Sequence, residues 1–110
     1  MIKEVDTYTV RLYIAGDINT AKRWLNDYCY NNGLCVTVEP TTFIYTGGEE
    51  SGMVIGFVKY PRFSKKPSEL FGEAKYMAEL LLAALNQQSC LLVCPDKTTW
   101  ISNRREDNPL

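Results

Sequence analysis

Lys59, Arg62, Lys65 and Lys66 fall within eight residues with no acid among them, and Tyr60 and Phe63 are interleaved. Lysine and arginine hold phosphates or carboxylates, and rings between them stack on bases or enter a partner's apolar pocket. The segment reads as an interaction patch, with a solvated loop anchored by Tyr60 and Phe63 as its alternative. Glu49 and Glu50 are the adjacent carboxylates, within Thr46-Gly47-Gly48-Glu49-Glu50-Ser51-Gly52. A phosphate cradle needs converging N–H groups and preferably a helix start, whereas this loop carries only negative charge and leads into a strand. It is expected to be a hydrated hairpin tip. The cysteines pair as Cys29/Cys35 and Cys90/Cys94, with five and three residues between them. That is not the spacing of a zinc knuckle, and they are expected to be buried free thiols with no metal or cofactor.

There is no histidine among the 110 residues. The commonest general base and metal ligand is therefore missing, and no nucleophile–base pair stands out. The expectation is a non-enzymatic binding domain. Twelve Lys+Arg against thirteen Asp+Glu leave a net charge of −1, so there is no global pull toward phosphate backbones or anionic membranes. A protein partner is expected first, with nucleic acid held by a local patch as the alternative. No signal-like segment is seen, and the longest near-apolar run, Met77 to Leu85, is interrupted by Glu79. No membrane contact and a cytoplasmic, reducing location are the corresponding expectations.

The length suits one domain over residues 1–110, with 103–110 as a polar tail. Tyr8, Val10, Leu12 and Ile14 alternate as in a strand. Asp17 can cap a helix whose apolar residues run from Ile18 to Cys29, and Asn32-Gly33 ends it. Leu34 to Val38 and Phe43 to Tyr45 read as a second strand, and Met53 to Tyr60 as a third. Leu70, Phe71, Ala74, Met77, Ala78, Leu81, Leu82 and Leu85 mark a second helix beginning at Pro67. Cys90 to Cys94 and Thr98 to Ser102 form a last hairpin. The fold class is therefore α+β, a two-layer ferredoxin-like β-α-β-β-α-β sandwich with an extra C-terminal strand. Its antiparallel sheet, with the first and third strands central, is covered on one face by both helices. An edge strand or the open face offers a surface for a homodimer.

Leu12-Tyr13-Ile14-Ala15-Gly16 and Gly56-Phe57-Val58-Lys59-Tyr60 resemble the two central-strand motifs of RNA-recognition-motif domains. That resemblance implies base stacking by Tyr13 and Phe57 on the open face. The run Phe43-Ile44-Tyr45-Thr46-Gly47-Gly48-Glu49-Glu50, followed by Lys59-Tyr60-Pro61-Arg62-Phe63, resembles small accessory proteins of phages and prophages. That family implies an accessory protein acting on a host component, inhibition of a host defence being one such action.

Strand parity completes the picture. If Leu12, Ile14, Val58 and Tyr60 face the helices, Tyr13 and Phe57 face the opposite way, exposed unless Trp100 covers them. The candidate partner-binding residues are Tyr13, Phe57, Lys59, Arg62, Phe63, Lys65 and Lys66.

Overall fold

The computed structural model describes residues 1–63 and 65–108, so Ser64 and the last two residues of the expected tail lie outside it. The elements are β1 (Thr9–Ala15), α1 (Ile18–Asn32), β2 (Val36–Tyr45), β3 (Gly48–Val58), α2 (Pro67–Ala84), β4 (Ser89–Val93) and β5 (Thr98–Ser102). One antiparallel sheet has the order β2-β3-β1-β4-β5, and both helices cross one face of it. This is the expected α+β ferredoxin-like sandwich. The expected tail contains a short 3-10 turn at Arg105–Asp107.

Each helix starts and stops where its residues dictate. Asp17 accepts from both the backbone N–H and the hydroxyl of Thr20 at 2.8 Å, satisfying one of the orphan donors of the first turn. Gly33 closes α1 with φ 63°, a left-handed conformation that costs a residue without Cβ nothing. Along α2, Leu70, Ala74, Met77, Ala78, Leu81 and Leu82 are buried against Val10, Leu12 and Ile14 of β1 and their neighbours. The hydroxyl and then the backbone N–H of Thr20 hold the Asp17 carboxyl below its ordinary value of 3.8. A depressed folded-state pKa contributes stability above the unfolded value and loses it as pH falls through the folded value. Asp17→Ala is therefore expected to lower the melting temperature at neutral pH, and the gap from wild type should close well below about pH 4. Thermal melts of both proteins across that range check this; a constant gap would contradict it.

Two expectations need correction. The glycine-rich stretch is strand rather than loop: only Thr46-Gly47 turns, and β2 pairs with β3 without a break from Val36↔Phe57 to Tyr45↔Gly48. Pairing of β3 with β1 stops at Ala15↔Gly52, so the outer part of the hairpin projects as a two-stranded arm with Ile44 exposed. The second correction concerns parity. Phe57 pairs with Val10 and is 1% exposed, and Met53, Ile55 and Phe57 all face the helices. Val54, Gly56 and Val58 take the open face, and Tyr60 lies beyond the strand. The run Met53-Val54-Ile55-Gly56-Phe57-Val58 is apolar on both sides, so alternation alone could not choose between its faces.

Candidate functional site

On the open face, strand register places Val54, Tyr13, Leu91 and Trp100 in one row across β3, β1, β4 and β5. Trp100 stays 55% exposed and stands two strands away from Tyr13, so it does not seal the face. Beside this row lies a concavity of about 420 Å³ whose lining includes Tyr13, Ala15, Phe43, Glu50, Leu91 and Trp100. Phe43 and Glu50 enter it from the arm, where they are cross-strand partners. The Arg11 guanidinium lies 5.8 Å from the Tyr13 ring centre. Three aromatic rings, aliphatic walls and one carboxylate suit a flat ring system carrying positive charge, because aromatic faces attract cations and an anion adds net charge.

A second concavity of about 320 Å³ gathers Phe57, Lys59, Phe63, Lys65, Cys35 and Glu73 at the far end of β3. The sequence cluster is thus partly assembled, with Phe57 as its buried floor and not as an open-face anchor. Lys65 is engaged, its ammonium 2.8 Å from both oxygens of Glu73. Arg62 lies 5.5 Å from the Phe63 ring centre, and Lys66 is the N-cap residue of α2. Tyr13 belongs to the other concavity, so the seven candidates do not form one surface. Phe57 cannot stack a base, and the RNA-recognition-motif correspondence fails at that strand.

Phe43, Glu50 and Leu91 escape a reading of the sequence because the glycine-rich arm has the composition of a loop. The legible signal is the alternation of Gly48, Glu50 and Gly52, a strand pattern with two bare positions on one face. Among the described residues, no group of three or more Cys, Asp or Glu side chains is arranged to hold a metal. No described helix is long and apolar enough to cross a membrane.

Cys90 and Cys94 are buried as expected, but Cys35 is exposed, with its sulfur 3.5 Å from the Tyr60 hydroxyl. Burial pushes the Cys90 thiol up to about 11, with the charge of Glu79 adding to it. Thiolate is the reactive form, so iodoacetamide at about pH 8 should label Cys35 in the folded protein and Cys90 only on unfolding. Peptide mass spectrometry reads the order, and early labelling of Cys90 would contradict the packing.

No family model and no curated protein sequence matches the chain. Its fold is similar to that of a phage SAM lyase in the apo state, with TM-score 0.71 and 12% identity over 93% of this chain and 95% of that one. It is likewise similar to a phage SAM lyase in complex with S-methyl-5'-thioadenosine, with TM-score 0.70 and 11% identity over the same shares of the two chains. Both are phage proteins, in keeping with the resemblance to phage accessory proteins. The expectation of a non-enzymatic domain, drawn from the missing histidines, is overturned: this chain shares its architecture with an enzyme.

Proposed function

We propose that the chain is a lyase that cleaves SAM in the open-face concavity. The observation that carries this reading is Glu50 set among Tyr13, Phe43 and Trp100 in a fold shared with a SAM lyase. SAM joins a flat purine to a positively charged sulfonium. Aromatic side chains bind the first by stacking, and a carboxylate beside aromatic faces favours the second. The other concavity is lined by Lys59, and its carboxylate, Glu73, is already paired with Lys65, so a cation gains less there.

The chemistry explains why histidine is dispensable. Release of S-methyl-5'-thioadenosine breaks the bond between sulfur and the methionyl Cγ, and the electron pair stays on sulfur as a neutral thioether. No acid is needed for the leaving group. If the substrate's own carboxylate oxygen closes onto Cγ, a lactone forms and no proton moves, so no protein base is needed either. Positive and negative charge disappear together in that step, which an apolar surround such as Ala15 and Leu91 favours over water. The work left to the protein is to bind, fold and shield the substrate.

An accessory protein of this kind would act on a host by removing SAM, so that SAM-dependent enzymes, including those of host defence, lose their cofactor. Inhibition would then come from depletion and not from contact with a protein partner. Incubating the purified chain with SAM and separating the products by chromatography tests the proposal. Conversion to S-methyl-5'-thioadenosine well above the protein-free control is expected; intact SAM with folded protein would overturn it.

A further inference from the structure

Gly48, Glu50 and Gly52 alternate on β3 and share the open face, opposite Tyr45, Phe43 and Thr41 of β2. Each glycine lies under a ring. A Cβ at position 48 would sit 3.1 Å from Cε2 of Tyr45 and 3.3 Å from its hydroxyl. A Cβ at position 52 would sit 2.5 Å from Cε2 of Phe43, and also 2.5 Å from the Ile14 carbonyl oxygen of β1, so Gly52 admits both the ring and the neighbouring strand's backbone. Neither glycine has a positive φ, so these positions use small size and not backbone freedom. Phe43 faces Glu50 in register, yet its ring leans along the strand onto Gly52, while the Tyr45 ring covers Gly48 on the other side. Along the open face of β3, Glu50 therefore lies between the two glycines that carry these rings, with Phe43 also lining the concavity.

We infer that Glu50, bracketed by Phe43 and Tyr45, is an onium-selective subsite that recognises the sulfonium of the substrate by its charge. This rests on the function proposed above. A sulfonium spreads its charge over the attached carbon groups and is weakly hydrated, so aromatic faces and a carboxylate attract it at modest desolvation cost. A neutral thioether of the same shape gains neither attraction. The subsite thus separates substrate from product: once the carbon–sulfur bond breaks, sulfur is neutral and S-methyl-5'-thioadenosine is held less tightly. Glu50 is the recognition group, and Gly48 is a positioning residue that acts through the Tyr45 ring.

Calorimetric titration with two uncleaved ligands tests this. One is S-adenosylhomocysteine, a neutral thioether; the other is the analogue of SAM with an N-methyl amine in place of the methylated sulfur, protonated at about pH 6. Wild type is expected to bind the protonated amine roughly tenfold more tightly, about 1.4 kcal/mol by the relation between ratio and free energy. Glu50→Gln should lower the ratio by about threefold or more, the rings keeping the remainder, while leaving S-adenosylhomocysteine affinity within about twofold. Gly48→Val, which displaces the Tyr45 ring, should shrink the ratio in part. Equal binding of both ligands by wild type, or an unchanged ratio in Glu50→Gln, overturns the inference and leaves the proposed function standing. Binding of neither ligand by wild type overturns both.

Discussion

Phe57→Ala is expected to destabilise the protein by about 3–5 kcal/mol, the range for removing a fully buried phenylalanine ring. Phe57 is 1% exposed and sits between Val10 on β1 and Val36 on β2, under the helices. Truncation removes its contacts and leaves a void that the rigid strand backbone cannot close. Tyr13→Ala, on the open face of the same central pair of strands, should cost much less because its ring is only partly covered. Urea denaturation of both variants separates them. Equal midpoints would mean that the two rings share a face, as alternation first suggested, and would contradict the register.

The second large effect is on turnover. Glu50→Gln keeps the shape of the side chain and removes its charge. A hydrogen bond or contact to a charged group contributes about 1.5–3 kcal/mol, so kcat/KM for SAM should fall roughly 10–100-fold. The loss should appear mainly as a higher KM. The carboxylate attracts the sulfonium in the bound substrate and the positive charge still on sulfur in the transition state, so its removal weakens both alike and leaves kcat little changed. A general base at this position would behave differently, with kcat itself falling by about 10²–10⁴. Initial rates over a range of SAM concentrations distinguish the two patterns.

Much of the scaffold was legible because its signals are local. Asp17, Gly33 and Pro67 mark the helix ends, and the spacing from Leu70 to Leu85 writes the buried stripe of α2 directly into the sequence. The sheet order followed from the alternation of elements and short connections. What failed was non-local. The face of β3 is set by its register against β1 and β2, and residues 53–58 are apolar on both sides. Gly48 and Gly52 have the character of loop residues, since glycine between acids is a turn signal when no partner strand is in view. Only the pairing with neighbouring strands shows that Gly48 makes room for the Tyr45 ring, and Gly52 for the Phe43 ring and the backbone of β1. The basic cluster was visible, but Lys65 finds Glu73 inside α2, a pairing that no count of cations within 59–66 contains.

The central claim is that the ligand binds on the open face, beside the row from Tyr13 to Trp100. Titrating ¹⁵N-labelled protein with S-methyl-5'-thioadenosine and following the amide and indole resonances tests it most directly. Binding in this concavity should shift the Trp100 indole N–H and the backbone amides of Glu50, Ser89 and Leu91, and leave those of Gly33, Leu34 and Lys59 in place. Shifts confined to Gly33, Leu34 and Lys59, or a spectrum that does not change at saturating ligand, would contradict it.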